Sequence, residues 1–272
     1  MLPQEDMIAR LRAVCAADET LDAAMMYGSF TRGEGDAYSD IEFLLFFRDD
    51  ALPDLDRRAW LAQIRPVELL FVNEFGHHTA IFDNLVRGEF HFHAASEVTL
   101  AAGWPGVVHF PSLASTLIAD KSGALTPYLN AIVAPPPAQG GPEKTQSLAD
   151  NFVNWSWFGV NVLRRGEYAR ALELLGSAHR YLLWMARLLA GRTDNWLTPS
   201  KSAELDLPPE VMARYRACTA TSDPGALWAA YGALWAWGGE MLDTLAAREG
   251  IDPHAALRTR MAEVMREAEK VG

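Results

Sequence analysis

Cysteine is almost missing from this 272-residue chain, which holds only Cys15 and Cys218. Two cysteines so far apart, each in a helical pattern, exclude a disulfide framework and any zinc-ligand spacing, so a reducing cytoplasm is the expected setting. Excess positive charge is missing as well. The formal net charge is -11, and no basic cluster stands out, which argues against a nucleic-acid partner. No apolar run reaches the length of a membrane span. The opening Met1-Leu-Pro-Gln-Glu-Asp6 lacks the basic and apolar segments of a signal peptide, so the expectation is a cytoplasmic protein with no membrane contact. No internal repeat is visible. What remains is a globular composition, 50% hydrophobic and 22% charged, long enough for two modest domains.

Pro and Gly concentrate in Ala134-Pro-Pro-Pro-Ala-Gln-Gly-Gly-Pro142. Such a stretch sustains neither helix nor sheet and predicts a linker at 135–142 between domains at 1–134 and 143–272. Before it, helix and strand signals mix. Met7, Ile8, Leu11, Val14 and Cys15 recur at helical spacing, while 23–27, 40–47, 67–72, 79–82 and 89–93 read as strands of a small mixed sheet. After it the pattern is helical almost throughout, with long apolar stripes such as Leu148, Phe152, Trp155, Gly159 and Val162. The predicted fold class is therefore α/β (α+β) followed by an all-α helical bundle. Most of the bundle's tryptophans (Trp155, Trp157, Trp184, Trp196, Trp228, Trp235 and Trp237) belong to its core on this reading.

The chemistry concentrates near Gly28-Ser29 and Asp40-Ile-Glu42. A glycine at the end of a strand lets backbone approach a phosphate without a Cβ in the way, and the first amides of the following helical turn are unpaired donors. Ser29 adds a hydroxyl and Arg32 a full positive charge. On a strand Asp40 and Glu42 share one face, where they could hold Mg²⁺, while Ile41, Phe43 and Leu45 anchor the other. Magnesium takes one or two carboxylates and fills its remaining positions with water and substrate phosphates, a chemistry that suits a nucleoside triphosphate. In Gly88-Glu-Phe-His-Phe-His93, Phe90 and Phe92 share one face and Glu89, His91 and His93 the other. If this strand neighbours that of Asp40, Glu89 could be a third metal ligand or a general base; otherwise it is a surface glutamate on an edge strand. His77 and His78, in an expected turn, receive no role.

The pattern of an apolar residue, Gly28-Ser29, a short gap and Asp40-apolar-Glu42-apolar resembles the signature of the nucleotidyltransferase superfamily typified by DNA polymerase β. The longer stretches Met26–Phe43 and Ile81–Phe92, with Asn161–Leu175 and Asp194–Leu197, resemble the lincosamide nucleotidyltransferases, antibiotic-resistance enzymes. This resemblance implies a nucleotidyltransferase catalytic domain followed by a helical substrate-binding and dimerisation domain. It gives Asp40 and Glu42 the Mg²⁺, Gly28 and Ser29 the triphosphate, and Glu89 the role of general base. Arg32 would help hold the departing pyrophosphate. Arg170 could reach a phosphate or be simply an exposed helix arginine. The implied reaction moves AMP from ATP to a hydroxyl of lincomycin or clindamycin, inactivating the drug, and the resemblance also implies a homodimer. Glu42 departs from the commonest superfamily pattern, where Asp holds the second metal position. An aminoglycoside or other small alcohol as acceptor, and a non-enzymatic antitoxin-like partner, are the alternative readings.

Overall fold

The computed structural model describes residues 1–104, 108–134 and 138–269, and the chain divides into two units, Met1–Pro137 and Ala138–Gly272. Of the expected linker, 135–137 lies outside the described residues. Pro142 is not linker but the first residue of a helix, a position whose amide would be unpaired in any case.

The first unit opens on α1 (Pro3–Ala17), with Pro3 at its start and the Leu2 amide donated to the Glu5 carboxylate at 2.6 Å. Then come β1 (Leu21–Tyr27), a 3-10 turn (Ser29–Arg32), β2 (Ile41–Phe47), α2 (Arg57–Ala62), β3 (Val67–Val72), β4 (His78–Phe82), β5 (Arg87–Ala94), a 3-10 segment (Ala95–Gly103), α3 (Leu113–Thr116), β6 (Leu117–Asp120) and α4 (Thr126–Ile132). The six strands form one sheet in the order β3-β4-β5-β2-β1-β6. Only the central pair β2–β5 is parallel; the others run antiparallel. The expected mixed sheet is therefore present, with His78 inside β4 rather than in a turn.

Strand β2 differs from its sequence reading in an instructive way. Ile41, Phe43, Leu45 and Phe47 face a core that includes Met7, Leu11, Trp60 and Phe90. Its other face is also buried: Leu44 and Phe46 pack with Ala23, Met25, Phe110, Leu125 and Leu129. A strand covered on both sides reads as a continuous apolar run, and the acidic face is confined to its first turn of pleat, at Glu42. Asp40 stands just ahead of the strand.

The second unit is helical: α5 (Pro142–Arg164), α6 (Tyr168–Ala190), α7 (Ala203–Asp206), α8 (Pro209–Ala217), α9 (Pro224–Glu249) and α10 (Ala255–Glu269). Helices α5 and α9 approach closely through two glycines. A Cβ on Gly159 would lie 2.0 Å from the Tyr231 hydroxyl, and one on Gly238 would lie 2.0 Å from the Phe152 ring. Trp228, Trp235 and Trp237 are buried in this core, and Trp155, Trp157, Trp184 and Trp196 pack against it partly covered. Arg187 carries a fully buried charge in this interior, which also holds the hydroxyls of Thr145 and Ser156. It donates to the carbonyls of Pro199 (2.7 Å), Arg192 (3.1 Å) and Lys201 (2.5 Å) and pairs with Asp206 (2.9 Å), as a buried charge must. Among the described residues, no helix is long and apolar enough to cross a membrane.

Candidate active site

The sheet itself assembles the site. Register pairs Tyr27 with Glu42 across β1–β2, Glu42 with Glu89 across β2–β5, and Glu89 with Thr79 across β5–β4. These four residues form a transverse row near one end of the strands, so residues far apart in sequence become neighbours about 5 Å apart along the row. Asp40 joins the row from the loop before β2. The condition on which Glu89 reaches this site is met, since β5 lies beside β2.

Gly28 closes the gap between the row and the 3-10 turn. Its φ of 82° suits glycine, and a Cβ there would fall 1.5 Å from Glu42 Oε2. The sequence suggested that Gly28 is small so that phosphate can approach; the structure adds that the Glu42 carboxylate needs the same space. Thr31, buried, donates from Oγ1 to the Gly28 carbonyl at 2.6 Å and fixes the turn. Ser29 begins the turn, and Arg32 ends it paired with Glu34 at 2.9 Å. The loop carrying Asp40 is held from α1: buried Gln4 donates through Nε2 to the carbonyls of Ala37 (3.1 Å) and Ser39 (2.9 Å).

Charge is crowded here. Arg87, at the start of β5, bridges Asp40 and Glu89, the latter at 2.9 Å. Burial, followed by the nearby charges of Asp40 and Glu89, pushes Glu42 up to about 7. Burial also opposes ionisation of Glu89, yet hydrogen bonds from His91, Arg87 and Tyr27 outweigh it and hold that carboxyl below its ordinary value. A carboxylate left short of positive charge beside two others is what a divalent cation relieves. Among the described residues no group of three or more His, Cys, Asp or Glu side chains forms a ready metal cage. Magnesium does not require one, because phosphate and water complete its shell. Asp40 and Glu42 therefore fit that ion.

Three contributors escaped the sequence reading. Tyr27 reaches both Glu89 Oε1 (3.0 Å) and His91 Nε2 (2.8 Å). Arg87 is the counter-charge; its spacing of two from Glu89 on a strand was the available signal. His77, given no role, stacks on His91 with ring centroids 3.7 Å apart. His91 and His93 do share a face with Glu89 as expected, and His91 Nε2 lies 3.2 Å from Glu89 Oε1. Arg170 belongs to the second unit, where it pairs with Glu167 at 3.3 Å and lies over the Phe158 ring.

Several comparisons bear on the chain. No curated protein matches it. Among solved structures, an aminoglycoside 6-adenyltransferase from Bacillus subtilis is similar at 12% identity and a TM-score of 0.44, covering 98% of this chain and 99% of that one. A nucleotidyltransferase-like protein from Exiguobacterium sibiricum 255-15 is similar at 17% identity and a TM-score of 0.39, covering 89% and 77%. Residues 141–263 match the family model described as lincosamide nucleotidyltransferase-like, C-terminal domain.

Proposed function

We propose that the chain transfers AMP from ATP to a hydroxyl of a lincosamide antibiotic and releases pyrophosphate. The observation that carries this reading is the juxtaposition of Asp40, Glu42 and Glu89 beside the Gly28-Ser29 turn. Attack of an alcohol on an α-phosphorus is opposed by the charge of three phosphates and by the high pKa of the hydroxyl. Asp40 and Glu42 would hold Mg²⁺, which supplies charge neutralisation of phosphate oxygens and in-line alignment.

The remaining work falls to the chain. Glu89, ionised well below neutral pH, takes the proton of the acceptor hydroxyl while that oxygen bonds to the α-phosphorus. The bond from phosphorus to the bridging oxygen breaks, and pyrophosphate leaves with the electron pair. The Gly28 amide, Ser29 and Arg32 would hold it. The acceptor class rests on the match of residues 141–263 to a lincosamide nucleotidyltransferase-like domain.

The test is to incubate the protein with Mg-ATP and a panel of lincomycin, clindamycin and several aminoglycosides, then weigh the products by mass spectrometry. A lincosamide carrying AMP, with pyrophosphate released, is expected. AMP on an aminoglycoside instead moves the acceptor; no modified drug at all rejects the reaction.

A further inference from the structure

Glu89 is held at both oxygens, and the two grips differ in kind. Arg87 at 2.9 Å and Asn73 at 3.4 Å reach Oε2; Tyr27 at 3.0 Å and His91 at 3.2 Å reach Oε1. The groups facing this carboxyl are thus Arg87 and His91 from its own strand, Tyr27 from β1, Asp40 and Glu42 at β2, and the Asn73 to His77 turn between β3 and β4. Tyr27 is singular among them. Its hydroxyl touches Glu89 and His91 at once, closing a triangle.

The triangle dictates proton positions. An ionised carboxylate only accepts, and a phenol has one proton to give. With that hydrogen directed at Glu89, the short contact of 2.8 Å from Tyr27 oxygen to His91 Nε2 requires Nε2 to carry hydrogen. His91 then donates from Nε2, and its ring is fixed from the other side by His77. Asn73 secures His77 in turn, its Oδ1 accepting the His77 amide at 3.0 Å. Burial makes charging of His91 unfavourable, consistent with a neutral ring in this one tautomer.

We infer that Tyr27 is a positioning residue for Glu89: its hydroxyl orients the carboxylate and sets the His91 tautomer. This rests on the nucleotidyl-transfer reading, in which Glu89 receives the hydroxyl proton. It assigns Tyr27 no contact with either substrate.

Tyr27→Phe removes only the hydroxyl. The ring keeps its edge-on packing with His91 (5.6 Å) and Trp104 (5.7 Å), so the fold is retained. A hydrogen bond to a charged group is worth enough that kcat should fall about 10- to 100-fold, with KM for ATP and drug unchanged. The acid limb of the kcat profile should move to higher pH, because Glu89 loses a donor that favours its ionised form. A structural defect alone would not move that limb. Wild-type kcat and acid limb in Tyr27→Phe overturn the inference, as does a loss that only tracks a lowered Tm. If the wild type makes no product, the functional reading fails on its own. Nitrogen NMR of the His91 ring then decides the inference: the wild type must carry the ring hydrogen on Nε2 and Tyr27→Phe must lose that preference, and an unchanged tautomer overturns it.

Discussion

Glu42 and Glu89 face each other across β2 and β5, yet their surroundings push them in opposite directions. Glu89 carries four donors and stays ionised; Glu42, buried beside two carboxylates, reaches about 7. Raised above its unfolded value, Glu42 contributes stability that is fully present below the unfolded pKa and is lost as pH rises through the folded one. The metal-free protein should therefore lose stability between about 4.5 and about 7, and Mg²⁺ with nucleotide should restore it. Glu42→Gln should be more stable than wild type above pH 7 without metal, by on the order of 1–3 kcal/mol, while losing most activity. Urea melts across pH check the sign; a variant less stable than wild type at high pH would contradict it. Glu89→Gln keeps size but loses the proton acceptor. Its turnover should fall about 10²- to 10⁴-fold with nucleotide affinity near normal in calorimetry. A matching loss of affinity would make Glu89 a metal ligand instead. Both acids were legible in the sequence because each is a lone carboxylate interrupting a strongly apolar or aromatic strand. Tyr27 and Arg87 were not, since their meaning depends on which strands become neighbours, and strand order is a property of the whole sheet.

At the scale of elements, the short ones hold the site in place. The first turn of α1 clamps the loop before Asp40 through Gln4, and Thr116, at the end of α3, donates to the Met26 carbonyl at 2.6 Å, steadying β1 just before Gly28. Gln4→Ala should therefore reduce turnover by about 10-fold or more while costing only about 1–2 kcal/mol of stability. The pairing of those two measurements matters, because equal activity in Gln4→Ala would mean that Asp40 is oriented without α1. The long helices and the apolar strands were readable from periodicity. Strand β6, four residues of Leu117–Asp120, is too short to display alternation and went unread, as did α2, α3 and α4. Pro142 was assigned to the linker because proline breaks helices in their interior, although it is welcome at their first position.

For the whole molecule, the division into two units has an energetic counterpart. Every member of the helical core lies at 148–265, and it includes Phe152, Leu182, Tyr231 and Leu242 at essentially zero exposure. That core is closed by polar contacts of its own: Tyr231 donates to the Ala171 carbonyl at 2.8 Å, and Arg248 to that of Leu188 at 2.9 Å. Buried Cys218, its thiol pushed up to about 11 by burial, sits inside it and should resist alkylation for as long as the unit is folded. A domain of this size with one contiguous apolar core meets the main requirement for independent folding. A fragment spanning 138–272 should therefore show helical circular dichroism, a single cooperative urea transition and a protected Cys218 that reacts with thiol reagents only above the midpoint. A non-cooperative melt, or a thiol that reacts at once in native buffer, would mean that the helical core needs residues outside the fragment to close.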